Sequence, residues 1–124
     1  MRLIRSKDTR PEVLVRRLLA AHGYRYRLHR KDLPGKPDLV FPGRRKVILV
    51  HGCFWHQHGG CIDGRAPKSN SDYWRPKLLR NRSRDIRAKR ALSRLGWKYL
   101  VLWECYIERG GPRLLKRLQR FLSS

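Results

Sequence analysis

Val47-Ile48-Leu49-Val50 runs straight into His51-Gly52-Cys53-Phe54-Trp55-His56-Gln57-His58-Gly59-Gly60-Cys61. The first four residues are aliphatic without a polar break, the pattern of a strand covered on both faces. The segment that follows packs cysteines and histidines into a single loop. Such a loop can hold a metal ion and still keep an imidazole for chemistry.

Working outward, Thr9-Arg10-Pro11-Glu12 opens a helix. Thr9 is a capping residue, Pro11 is tolerated early, and Glu12 stands where a capping box needs its acid. Leu14, Leu18 and Leu19 form the expected inner stripe, and Gly23 the stop. Residues 24–29 alternate like an exposed strand, and 33–37 make a turn. A short strand over 38–41 closes at Pro42-Gly43, and 46–50 is a central strand. Past the cluster, 72–95 reads as a helix, with Pro76 in its first turn and Leu78, Leu79, Ile86, Leu92 and Leu95 inward. A second central strand spans 97–103. A final basic amphipathic helix spans 112–122, with Leu114, Leu115, Leu118 and Phe121 inward. The order α-β-β-β-α-β-α implies an α/β fold, a mixed central sheet flanked by helices.

The chain has 124 residues, enough for one domain. Its 31 Lys and Arg against 9 Asp and Glu give a net charge of +22. A body so positive repels itself unless a polyanion or salt compensates, and nucleic acid is the partner whose phosphates do so. Ribosomal proteins share this composition, so charge alone does not identify an enzyme. An anionic membrane is the weaker alternative, and no apolar run reaches membrane-spanning length. The odd cysteine count argues against a disulfide scaffold and for a reducing cytoplasm with thiolate metal ligands.

Cys53, His58 and Cys61 are three candidate ligands in one loop, and Cys105 follows the last strand. Together they make a tetrahedral zinc set, closed and therefore structural. The alternative is buried thiols and surface histidines without metal. His51 and His56 are surplus to the zinc. Phe54 and Trp55 either pack over the thiolates or enter the DNA stack. Acids are scarce, so their positions carry weight. Asp38, at the start of a strand, can bind a divalent cation together with the Val50 carbonyl, or serve as a turn cap. Glu12 is either the capping-box acid, which the sequence slightly favours, or an inward acid holding a metal-bound water. Asp85 either pairs with neighbouring arginines or orients His51. The Glu-x-Lys tripeptide that usually follows such an acid in nucleases is absent from 47–50.

Three sets of residues resemble one family. They are Pro34-Gly35-Lys36-Pro37-Asp38, Val50-His51-Gly52-Cys53-Phe54-Trp55-His56, and Gly96-Trp97 with Trp103-Glu104-Cys105. They are similar, in order and over nearly the whole chain, to the very-short-patch mismatch-repair endonucleases. The resemblance implies a restriction-endonuclease-like three-layer core with a structural zinc. It also implies nicking of double-stranded DNA on the 5′ side of the thymine in a T:G mismatch. By the same resemblance Asp38 binds magnesium beside the Val50 carbonyl, and His56 is the general base. His51, paired with Asp85, supports the phosphate or leaving group, and Glu12 holds a metal-coordinated water. Cys53, His58, Cys61 and Cys105 bind zinc, and Phe54 and Trp55 intercalate beside the mismatch.

Two departures from the family stand out. Gly59-Gly60 places an extra residue before Cys61, and the chain begins close to Arg5-Ser6-Lys7. The expectation is one nuclease domain over 1–124, with the family's further N-terminal stretch absent or shortened. It is a monomer near the nucleoid, assisted by other mismatch-repair proteins. Two alternatives stand beside it: a restriction-like or structure-specific nuclease of the same fold, and a zinc-stabilised DNA-binding module without activity.

Overall fold

The structure is a computed structural model that describes residues 9–53 and 71–123. Its elements are α1 (Arg10–Ala21), β1 (Arg27–Leu28), β2 (Leu39–Phe41), β3 (Lys46–His51), α2 (Ser71–Arg94), β4 (Lys98–Trp103), α3 (Glu104–Arg109) and α4 (Pro112–Ser123). The strands form one sheet in the order β1-β2-β3-β4. β1, β2 and β3 run antiparallel in sequence, whereas β4 joins β3 in parallel. The sheet is therefore mixed, as the element order implies. A parallel neighbour needs a crossover, and α2 lies in the connection between β3 and β4.

Side chains on successive strand residues point to opposite faces, and both faces here are apolar. One face carries Leu39, Phe41, Ile48 and Leu102, packed under Val15 and Leu19 of α1, Ile107 of α3, and Leu114, Leu118 and Leu122 of α4. The other carries Val40, Val47 and Leu49 against Leu92 of α2 and Leu33 of the turn before β2. This is a three-layer arrangement with the sheet in the middle. Lys46 opens β3 from a buried position, and its Nζ donates to the Phe121 carbonyl at 2.7 Å. Arg44 donates to the Leu122 carbonyl at 2.6 Å. Two cations thus satisfy carbonyls that the last turn of α4 leaves open, where the helix dipole also favours them.

Several expectations are corrected. Thr9 makes no side-chain cap, and its carbonyl accepts from the Val13 amide at 2.9 Å. Glu12 is buried and does not close a capping box, because stronger donors hold its carboxylate in the interior. Leu14 is exposed while Val15 and Leu19 fill the inner stripe. Pro76 lies inside α2, since the helix reaches back to Ser71. Leu78 and Leu92 are buried, about four turns apart on one stripe. Leu79, Ile86 and Leu95 point off that stripe and are exposed. β4 is an edge strand of the described sheet rather than a central one. The short helix α3, unanticipated, takes up Cys105 directly after β4.

The turn that leads to β2 is pressed against α2. Gly35 has φ +77°, and a Cβ there would stand 2.8 Å from the Ala88 Cβ. Both the left-handed backbone and the close approach exclude a side chain. Gly35→Ala is expected to destabilise the fold by about 1–3 kcal/mol, read as a lower thermal midpoint. An unchanged midpoint would mean that this turn and α2 move apart freely.

Candidate active site

Three elements bring Glu12, His29 and Asp38 together. The β1–β2 register pairs Leu28 with Leu39, so His29 comes opposite Asp38, one step beyond the paired residues. The His29 amide donates to the Asp38 carbonyl at 3.1 Å. Helix α1 crosses this end of the sheet and supplies Glu12, which is 1% exposed. Asp38 Oδ2 accepts from the Val50 amide at 2.7 Å, which fixes the carboxylate against β3. Glu12 Oε2 accepts from His29 Nε2 at 2.9 Å and from Arg16 Nη1 at 3.2 Å. The metal-binding atoms of Glu12, His29 and Asp38 lie within 4.8 Å of one another.

The Glu12 carboxylate lies close enough to Asp38 to raise its proton affinity. Burial pushes the Asp38 carboxyl up to about 7; the Val50 amide opposes that rise, the Glu12 charge reinforces it, and His29 opposes it. The arrangement suits a divalent cation, whose charge would relieve the repulsion. Oxygen donors with an imidazole at hand match magnesium or manganese. The described residues therefore contain a site fitted to a catalytic divalent metal.

The other predicted residues fall around this centre. His51 ends β3, is buried, and meets Trp103 edge-on at 5.1 Å between ring centroids. It follows Val50, whose amide holds Asp38, so its backbone adjoins the acidic cluster. Asp85 lies on α2 and lines a cleft of about 630 Å³ with Gly35, Lys36 and Arg84. Cys53 and Cys105 each stand two residues beyond the paired His51 and Trp103, so adjacent strand ends deliver both. The Cys53 amide donates to Glu104 Oε1 at 3.3 Å. No cysteine-based metal cluster is found among the described residues. Phe54, Trp55, His56, His58 and Cys61 lie outside the described residues. The Val50 group seen at Asp38 is its amide, and the carbonyl is the group assigned to magnesium by resemblance.

His29 is the residue that sequence reading missed. It closes a two-residue edge strand and looked like one more polar position in an alternating run. The signal available was the turn at 33–37, which folds the chain back so that 29 and 38 face each other.

Comparison with known proteins shows the family of the chain. Residues 1–61 match the family described as DNA mismatch endonuclease Vsr. The chain is 56% identical over 122 residues to the type II nicking enzyme V.XorIIP of Xanthomonas oryzae pv. oryzae, covering 98% of this chain and 88% of that one. The chain belongs to the Vsr family. It is 46% identical to the type II nicking enzyme V.NmeAIP of Neisseria meningitidis, covering 85% of this chain and 74% of the relative. It is 40% identical to the DNA mismatch endonuclease Vsr of Escherichia coli, covering 92% and 72%. As a Vsr-family protein it is a DNA-nicking endonuclease. These comparisons back a DNA nuclease of this fold more directly than any particular mismatched pair. No described helix is long and apolar enough to cross a membrane.

The raised Asp38 carboxyl gives the Vsr-family centre a pH dependence whose sign follows from linkage. The folded state holds this proton more tightly than the unfolded chain. The stability it contributes is full below about pH 4 and is lost as pH rises through about 7. A divalent cation binds the ionised form, so its affinity rises over the same window. In chelator, Asp38→Asn is expected to flatten the fall in thermal midpoint between about pH 5 and 8. Added Mg2+ should raise the native midpoint most at the upper end and leave the Asn variant unmoved. Parallel curves for the two proteins would refute the assignment.

Proposed function

We propose that this Vsr-family endonuclease nicks one strand of duplex DNA on the 5′ side of the thymine in a T:G mismatch. The observation that carries the reading is the gathering of Glu12 and Asp38 at the strand ends beside Val50 and His51. Asp38, with the Val50 carbonyl, would hold Mg2+, and Glu12 would hold a water of its shell. A divalent cation supplies charge neutralisation at the scissile phosphate and the leaving oxygen. His56 takes a proton from the attacking water, which displaces the leaving oxygen in line. The products are a 5′-phosphate and a 3′-hydroxyl. His51, oriented by Asp85, steadies the phosphate. Support for His56 comes from the resemblance and for His51 also from its place at the end of β3.

Cys53, His58, Cys61 and Cys105 would hold a structural zinc. Supporting this, Cys53 and Cys105 leave neighbouring parallel strands at the same end. Thiolate and imidazole are the donors zinc prefers. Such a centre would tie the loop after β3 to α3. Phe54 and Trp55 would wedge beside the mismatch, opening the stack. The three layers support the restriction-endonuclease-like core that the resemblance implies. In this reading 1–124 would be one monomeric nuclease domain working on nucleoid DNA beside other mismatch-repair proteins.

A second reading keeps the chemistry and changes the target to paired or branched DNA. The relatives described as type II nicking enzymes favour it, since that description names no mismatch. Strand-labelled duplexes carrying T:G, T:A or C:G at one position, and a branched duplex, separate the two in Mg2+. A nick confined to the 5′ side of the mismatched thymine is expected. Asp38→Ala should abolish it while binding persists. Equal cutting of the paired duplexes would favour the second reading, and an active Asp38→Ala protein would sink the metal assignment.

A further inference from the structure

We infer that His29 is a positioning residue for the metal centre: it holds the Glu12 carboxylate in place and ties it to the segment that carries Asp38. The inference deepens the proposed function and rests on its metal assignment. The imidazole and the peptide of one residue serve the two acids separately. Nε2 meets Glu12 Oε2 at 2.9 Å, and the backbone amide meets the Asp38 carbonyl at 3.1 Å. An ionised carboxylate only accepts, so Nε2 carries the hydrogen of this bond.

Two features show that this placement is built rather than incidental. His29 adopts φ +49°, a left-handed backbone that a residue with a Cβ seldom takes. Its ring is mostly buried, 24% exposed, and is directed at a carboxylate that is 1% exposed. Glu12 has a second donor in Arg16, also at Oε2. Both donors thus engage the same oxygen, Oε2, and so fix one edge of the carboxylate whose other neighbour is the Asp38 side chain. Without His29, Arg16 is the one basic donor left to the Glu12 carboxylate among the described residues. The residue acts through Glu12, in the way outer hydrogen-bond partners orient metal ligands.

The test uses the full chain and a metal-only readout beside nicking. Mn2+ binding is titrated by paramagnetic resonance for the native protein and for His29→Leu, His29→Gln and Asp38→Ala. Mg2+ dependence of nicking is measured on the duplex the native protein cuts. Gln presents an amide hydrogen where Nε2 stood. His29→Leu is expected to weaken Mn2+ binding by roughly 10–100-fold and to raise the Mg2+ requirement in step, with Gln restoring most of both. In a Glu12→Gln background the same Leu substitution should cost little more, because its route is already cut. Should Leu melt below the assay temperature, His29→Ala replaces it.

A full-sized Leu effect in the Glu12→Gln background would overturn the inference. So would native-like metal binding by His29→Leu. Failure of Gln to restore, with the effect on metal intact, would make the imidazole a direct ligand and equally overturn it. Asp38→Ala separates these outcomes from failure of the underlying assignment: if it binds Mn2+ and nicks normally, the metal reading itself is wrong.

Discussion

The register of β2 against β3 is the constraint from which the site follows. Leu39 pairs with Ile48, and the pleat then sends Leu39, Phe41 and Ile48 to one layer and Val40, Val47 and Leu49 to the other. A slip of one residue would reverse every one of these side chains across a sheet that is apolar on both faces. With the register held, Asp38 arrives at the strand mouth next to Val50, and its carboxylate takes the Val50 amide. The position of an acid is thus decided by hydrophobic packing several residues away. The turn at Gly35 against α2 and the two cations at the end of α4 hold the connections on either side of β2.

Electrostatics of the chain and of the centre have opposite signs. A net charge of +22 draws a polyanion toward the whole surface. The two acids lie where that field and the protein's low polarity act together. A positive surround favours the ionised form of Asp38, while burial and the nearby Glu12 charge disfavour it. The balance leaves Asp38 near neutrality in its proton affinity, with a cation able to displace the proton. A basic chain suits phosphate and an acidic pair suits a divalent cation, for separate physical reasons.

Much of the fold was legible in the sequence because the strands are strongly apolar and the punctuation is plain. The 46–50 strand, the 33–37 turn and the last helix all lie where their patterns put them. The errors have local causes. Thr9 and Glu12 have capping-box spacing, but a half-buried histidine and an arginine offer the acid a better arrangement than a backbone amide does. The apolar residues of α2 outnumber those that one stripe can bury, so periodicity overcounted its inner face. β4 looked central by composition, yet a strand's place in a sheet depends on its neighbours, which are not adjacent in sequence. The acid of the site, Asp38, was legible, and the histidine facing it was not. Its meaning depends on a hairpin pairing whose β1 arm is only two residues long.

Position 29 is subject to two demands that no single residue type meets comfortably. A left-handed backbone is eased by glycine or asparagine. The buried Glu12 carboxylate asks for a long side chain with a donor near its tip. Glycine would relax the peptide and forfeit the donor, and asparagine would suit the peptide but fall short of the carboxylate. A β-branched residue fails on both counts. The range of tolerated residues at this edge of the sheet is therefore narrow for a reason that solvent exposure alone does not reveal. A survey of functional substitutions along this hairpin would register 29 as constrained while Leu28, more exposed and beside it, varies.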